Sequence, residues 1–275
     1  MIMVNKPNVA LTIAGNDASG GAGIGADLKT FAEYGTFGIA TLTVIASMDP
    51  DTWKHSVSPI DVTVVQEQLD TALSVDKGID AFKTGMLPTF EQIELIESYI
   101  KEHQLTNFVL DPVMVCKGDD EVLNPELAKG LRDRLTPLAT VVTPNLFEAG
   151  QLADMPEPTT VDEMKEAAKR IVELGAQTVV IKGGRGITDE VAIDIFYDGQ
   201  EFTILEAEKI KEASNHGAGC TFAAAVTAGL ANGLSPKEAV IKAKDFTHAG
   251  IQYGFKYNRH VAPVFHSAKR LDHAE

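Results

Sequence analysis

The run Asn215-His216-Gly217-Ala218-Gly219-Cys220 leads straight into a helix of small residues, so free backbone N–H groups and the positive end of a helix dipole converge on one point. That arrangement stabilises an anion without a lysine, although the same glycines serve equally as a turn chosen for close packing. Two carboxylates, Asp111 and Glu148, fall just after strand-like runs together with Asn145 and Lys182. Paired acids of this kind suit Mg²⁺, which takes a few carboxylates plus waters and phosphate oxygens. Lys182 would place a point charge on a transferring phosphate. There is no GxxxxGK[ST] motif, so nucleotide chemistry here is not of the P-loop kind. Cys220 opens the helix, where the dipole is expected to draw its thiol toward neutrality and let it accept a proton or attack an electrophile. Cys116 lies in the polar segment Met114-Val115-Cys116-Lys117-Gly118-Asp119, a composition that suits either a lid or an inert thiol. Asp119-Asp120-Glu121 reads as a solvated loop.

A second glycine run includes Gly21-x-Gly23-x-x-Ala26, which matches a dinucleotide fingerprint in its alanine-ended form, with Asp49 available as a ribose acid. In such a site the glycines follow the strand almost at once, whereas here Asn16 to Gly20 intervene. A turn packed against a helix is the better reading.

These residues need elements to hold them. Short apolar runs recur at Val9 to Ile13, Ile39 to Ile45, Ala81 to Phe82, Phe108 to Leu110, Val141 to Val142 and Val179 to Ile181, most too short for helices. Helical patterns lie between them at Asp27 to Tyr34, Val62 to Leu73, Phe90 to His103 and Val161 to Leu174. Alternating strand and helix imply an α/β fold with a mostly parallel sheet covered on both faces. Val191, Ile193, Ile195 and Tyr197 alternate into Asp198-Gly199, and Phe202 and Ile204 alternate out, as in an antiparallel hairpin. Ser235-Pro236 caps a further helix. From about His266 onward the pattern gives no signal. In an open parallel sheet ligands bind beyond the carboxyl ends of the strands, and there the chain places Gly15 with Asp17, Ser47-Met48-Asp49, Lys83-Thr84-Gly85-Met86, Asp111-Pro112-Val113, Thr143-Pro144-Asn145 and Lys182-Gly183-Gly184. A substrate cleft is the expectation.

Over 275 residues, 24 Lys and Arg against 39 Asp and Glu leave a net charge of −15, which argues against work on nucleic-acid backbone or anionic lipid. Two cysteines build neither a disulfide framework nor a four-cysteine zinc site. No run of about 18 apolar residues exists and no secretory leader is evident. With no repeat or linker, the expectation is one cytoplasmic domain spanning residues 1–275.

Val9-Ala10-Leu11-Thr12-Ile13-Ala14-Gly15, Asp17, Ser19-Gly20-Gly21-Ala22-Gly23 and Ala26-Asp27-Leu28-Lys29-Thr30-Phe31 together resemble the start of the ribokinase-like family that phosphorylates vitamin hydroxymethyl groups. Lys83-Thr84-Gly85-Met86-Leu87, Asp111-Pro112-Val113-Met114, Thr143-Pro144-Asn145 with Glu148, Ile181-Lys182-Gly183-Gly184 and His216-Gly217-Ala218-Gly219-Cys220-Thr221 continue the likeness in order, over nearly the whole chain. The resemblance implies a three-layer α/β/α sandwich, a homodimer, ATP and Mg²⁺, and in-line phosphoryl transfer to a CH₂OH on an aromatic heterocycle. It places Gly15, Asp17, Ala22, Met48, Met86 and Val113 around the ring, with Cys116 on a lid. Asp111 and Glu148 would hold Mg²⁺; Thr143, Asn145, Lys182, Gly183 and Gly184 would follow the nucleotide phosphates, with Lys244 nearby. Gly217, Ala218 and Gly219 would form the anion hole and Cys220 the base, where the wider family usually has Asp. A lid thiolate at Cys116 would also add to the aldehyde of pyridoxal. The family includes hydroxymethylpyrimidine kinases and bacterial pyridoxine/pyridoxal kinases. Where the former typically carry Gln, this chain has Met48; a thioether cannot pair with an aminopyrimidine edge, and an unpaired buried amino group costs about 1–3 kcal/mol. Met48 therefore favours a pyridine ring and B6 phosphorylation, with a hydroxymethylpyrimidine kinase as the alternative.

Overall fold

The computed structural model describes residues 6–114, 125–184, 186–188, 190–210 and 214–272. The strands are β1 (Val9–Asp17), β2 (Phe37–Met48), β3 (His55–Pro59), β4 (Ala81–Thr84), β5 (Phe108–Leu110), β6 (Val141–Val142), β7 (Thr178–Lys182), β8 (Val191–Tyr197) and β9 (Phe202–Glu208). The helices are α1 (Gly23–Glu33), α2 (Val62–Leu73), α3 (Phe90–Glu102), α4 (Pro125–Gly130), α5 (Leu146–Ala153), α6 (Val161–Glu173), α7 (Ala218–Ala231), α8 (Pro236–Gln252) and α9 (Ala268–Asp272).

All these strands join one sheet in the order β3-β2-β1-β4-β5-β6-β7-β8-β9. From β2 to β7 every pairing is parallel, and the antiparallel partners β3, β8 and β9 close the two edges. Central strands buried on both faces carry apolar residues almost without interruption, as a covered parallel sheet requires. Leu11, Phe82, Leu110 and Ile181 face one core with α2, α3, α5 and α6. Ala10, Phe31, Val109 and Val180 face the other with α7 and α8. Phe82 stacks on Phe108 across β4 and β5 with centroids 4.7 Å apart. The result is the expected three-layer α/β/α sandwich.

Local chemistry fixes where the helices begin. Asn145 and Glu148 form a reciprocal capping box at α5, as do Thr160 with Glu163 at α6 and Ser235 with Glu238 at α8. Helix α7 is apolar around its circumference because α1 and α8 pack on one side and the sheet on the other. The hairpin over Val191 to Ile204 forms in the expected register, with Tyr197 opposite Phe202. Beyond the sequence reading are β3, α4, the turns that follow α4, and the tail. His266 is buried and bonded to Thr221 Oγ1 at 3.0 Å, and Arg270 pairs with Glu33.

Candidate active site

The carboxyl ends of the parallel strands are stitched to one another by backbone bonds: Gly85 N–H to Ile13 C=O, Asp111 N–H to Thr84 C=O, Thr143 N–H to Leu110 C=O and Lys182 N–H to Pro144 C=O, all 2.9–3.2 Å. This aligns the polar residues after β1, β4, β5, β6 and β7 along one rim. At β1 the register with β2 shifts between Ala14 and Asn16, so Gly15 sits on a bulge where a Cβ would come within 2.5 Å of Val44. The two glycine runs meet over the rim. Gly217 has a φ of +77°, and a Cβ on it would lie 1.7 Å from the carbonyl oxygen of Gly21. Only glycine permits that approach, so the first run is structural, a loop against which the anion-binding turn packs. Asp49, exposed, accepts at Oδ1 from the backbone N–H groups of Asp51 and Thr52 and lines neither of the cavities on this rim.

Two cavities open on this rim. The first, about 270 Å³, is lined by Gly15, Asp17, Ala22, Met48, Met86 and Val113, and ends on Asp111, Glu148 and the Gly217–Cys220 turn. The second, about 400 Å³, runs between β8, β9, α7 and α8 past Gly184, Phe222, Ile251 and Lys244. They share Asn145, Lys182, Asn215, Ala218 and Gly219. Lys244 donates to Asp194 at 2.7 Å and to the Ala192 carbonyl at 3.2 Å.

Thr143 and Gly183 line neither of these cavities. Thr143 is fully buried with Oγ1 3.4 Å from Asp111 Oδ1, and so steadies that carboxylate from behind. Gly183 donates to Asp194 Oδ1 and to the Ile193 carbonyl, which a Cβ would approach to 2.1 Å. Cys116 and Asp119-Asp120-Glu121 lie outside the described residues.

The electrostatics centre on a shortage of positive charge. Burial, reinforced by Asp111 despite Lys182, pushes the Glu148 carboxyl up to about 7. Lys182 Nζ is 3.5 Å from Asp111 Oδ1; although burial pulls it down, Asp111 and Glu148 outweigh that and hold the ammonium above its ordinary value. The expectation for Cys220 is overturned. Burial, with Asp111 and Asp27 adding repulsion, pushes the thiol up to about 11, against the relief offered by Lys83 and by the backbone N–H of Gly23.

Sequence reasoning assigned no role to three groups in the ring cavity. His216 Nε2 is 2.6 Å from Asp17 Oδ2, and this bond with those from Ser19 outweighs burial to hold the Asp17 carboxyl below the usual range. His55 on β3 joins the wall. Lys83 on β4 lines the same cavity yet is fully buried, bonded at 2.9 Å to the equally buried Asp27, which also accepts from Thr12 at 2.6 Å. The apolar neighbours Ala81 and Phe82 mark the strand; only the unlikely presence of a lysine at its end signals the pair.

An anion turn between two cavities on a sandwich of this topology is the arrangement that the resemblance to ribokinase-like kinases implies. The chain belongs to the family described as phosphomethylpyrimidine kinase, whose model matches residues 17–265. It is 57% identical over 264 residues to the pyridoxine kinase of Bacillus subtilis, covering 96% of this chain and 97% of that one. A structure of the pyridoxal kinase from Staphylococcus aureus with AMP-PCP and pyridoxal superposes with a TM-score of 0.91 at 49% identity, covering 96% and 95%. A Staphylococcus aureus hydroxymethylpyrimidine/phosphomethylpyrimidine kinase is similar at 38% identity, over 96% and 95%.

Proposed function

We propose that this chain transfers the γ-phosphoryl group of ATP to the 5′-hydroxymethyl group of pyridoxal, pyridoxine and pyridoxamine. The observation that carries the reading is the shared wall: Asn145, Lys182, Asn215, Ala218 and Gly219 belong to both cavities, so a group passed between them crosses the α7 N-terminus. The 57% and 49% identities to a pyridoxine kinase and a pyridoxal kinase support the acceptor, against 38% for the pyrimidine kinase. Met48 in the ring wall supports it independently, since it offers no hydrogen bond to an aminopyrimidine.

The ring occupies the smaller cavity between Gly15, Ala22, Met48, Met86 and Val113, with its hydroxymethyl arm toward Cys220. The nucleotide lies in the larger one, its apolar floor formed by Phe222 and Ile251 and its phosphates directed to Lys182. The N–H groups of Gly217 and Gly219 would face the oxygens on which negative charge collects, the chief means by which phosphoryl transfer is accelerated, while the Ala218 N–H donates to the Asn215 carbonyl at 3.1 Å and braces the turn. At neutral pH Cys220 is mostly the thiol, so the base is its minor thiolate form, which takes the hydroxyl proton as the O–P bond forms and becomes the thiol. A loose transition state tolerates so sparse a base, because little negative charge needs to develop on the attacking oxygen beforehand.

The residues fit Mg²⁺. Asp111 and Glu148 both line the end of the ring cavity beside Lys182, and among the described residues no group of three or more His, Cys, Asp or Glu side chains could hold a metal unaided. That donor set suits an ion completed by phosphate and water oxygens. When bound, Mg²⁺ neutralises charge on the phosphates. Asp111 and Glu148 would hold it, steadied by Thr143 and by the capping box at Asn145.

A single cytoplasmic domain assembled as a homodimer completes the reading; exposed Ile45 and Val57 at the β2–β3 edge supply an apolar surface for the partner. No helix among the described residues is long and apolar enough to cross a membrane. Pyridoxal-dependent release of ADP, with the 5′-phosphate identified by mass, tests the activity; ATP turnover that ignores pyridoxal refutes it.

A further inference from the structure

The wall of the ring cavity that carries Met48 and His55 is not part of the core. Both residues end the β2–β3 hairpin, where they pair with each other, and β3 is an edge strand whose residues from Ser56 to Pro59 are exposed. β1 secures β2 only as far as Ala46, and beyond it Ser47 and Met48 pair with β3 alone; a two-stranded end has little stability of its own, so something else must hold this wall against the ligand. The turn that joins the strands, residues 49–54, is tightly wound: Trp53 N–H donates to the Asp49 carbonyl at 2.8 Å, and Asp49 Oδ1 accepts from Thr52 N–H at 2.7 Å. Trp53 adopts a φ of +61°, which a bulky residue keeps only where its surroundings insist.

Those surroundings come from the other end of the chain. The Trp53 indole stacks on the His260 ring with centroids 5.8 Å apart and planes 15° from parallel, and Tyr257 packs beside it at 6.2 Å. Arg259 donates through Nη2 to the Asp51 carbonyl at 2.6 Å and through Nε to His260 Nε2 at 2.9 Å, tying turn and ring together. The same loop then runs to the anion turn, where His216 N–H donates to the Ala262 carbonyl and Val264 N–H to the His216 carbonyl. Neither Trp53, Arg259 nor His260 lines the cavity.

We propose that Trp53, Arg259 and His260 form a clasp that holds the β2–β3 hairpin over the ring cavity and so sets the affinity for the vitamin. They are positioning residues, acting through Met48 and His55, and do not line the nucleotide groove. The consequence for binding rests on the assignment of pyridoxal as acceptor; the clasp itself does not.

The chain has one tryptophan, so acrylamide quenching of Trp53 emission reads the clasp directly, without substrate. The experiment uses the full-length protein and its Arg259→Ala, His260→Ala and His260→Phe variants, the last keeping a flat ring for the stack. The two alanine variants should quench more readily than the parent. They should raise KM for pyridoxal about tenfold, as loss of stacking and a hydrogen bond at one wall implies. The KM for ATP and kcat should stay within about twofold, and His260→Phe should recover most of the lost affinity. Unchanged quenching in both alanine variants overturns the clasp. So does a pyridoxal KM that stays put, or one that rises only in step with the KM for ATP. A parent protein that does not phosphorylate pyridoxal fails the functional reading instead, and the quenching comparison still decides the clasp.

Discussion

Replacing Lys83 by Met removes the ammonium from a pair in which both side chains are fully buried. Asp27 then keeps only the hydroxyl of Thr12 on Oδ2, and its Oδ1 has no hydrogen-bond partner in the protein already. Burial alone pulls Lys83 down, but the charges of Asp27 and Asp111 outweigh it and hold the ammonium protonated, so the variant loses a full charge. Breaking one side of such a pair costs about 3–5 kcal/mol, whereas replacing both partners with well-packed apolar groups is often neutral. With a urea slope near 3 kcal/mol/M, the upper end for small proteins, the Lys83→Met midpoint should fall by about 1–1.7 M at unchanged slope. Lys83→Met with Asp27→Leu should regain most of that loss. Urea unfolding followed by far-ultraviolet circular dichroism measures both. A Lys83→Met protein within about 1 kcal/mol of the parent, or a double variant weaker than the single, would refute the reasoning.

Cys220→Ala should lower kcat by about 10²–10⁴-fold, the range of general-base assistance, with the KM for ATP unchanged; a fall in ATP affinity at intact turnover would remove the base assignment. Gly217→Ala sets a methyl against the Gly21 carbonyl at a φ of +77° and should cost about 1–3 kcal/mol of stability together with most of the turnover, read from thermal melts and initial rates. Burial, helped by Lys29 against Glu33, draws His266 down from 6.5 to about 4. The folded state therefore prefers neutral imidazole, and its contribution is complete above pH 6.5 and lost as pH falls toward 4. On the order of 3 kcal/mol should disappear over that window, and His266→Gln should flatten it; identical pH profiles for the two proteins would contradict the assignment.

The parallel sheet was legible because its strands are short, apolar on both faces and separated by helical patterns, and the rim followed from where those strands end. Gly15, Asp17, Ala22, Met48, Met86, Val113, Asp111 and Glu148 do converge on one cavity. What stayed hidden depends on distance in three dimensions. The pairing of Lys83 with Asp27 joins residues 56 apart in the chain, and that of His216 with Asp17 joins residues 199 apart. The lysine at the end of apolar β4 is the one local trace of the first pair, and the second leaves none. The Cys220 thiol was misjudged because a helix dipole is visible in sequence, whereas the burial and the Asp111 and Asp27 charges that overrule it are not. The tail gave no periodicity because its residues are held singly, His266 by Thr221 and Ser267 by Glu33.

The most direct test of the account is phosphorylation of pyridoxal and of hydroxymethylpyrimidine side by side, at equal concentrations, with ATP, Mg²⁺ and one preparation of the protein. The ring cavity with Met48 in its wall predicts a clear preference for pyridoxal in kcat/KM. Equal or greater turnover of the pyrimidine would contradict it, leaving the phosphoryl-transfer chemistry in place and the acceptor wrongly assigned.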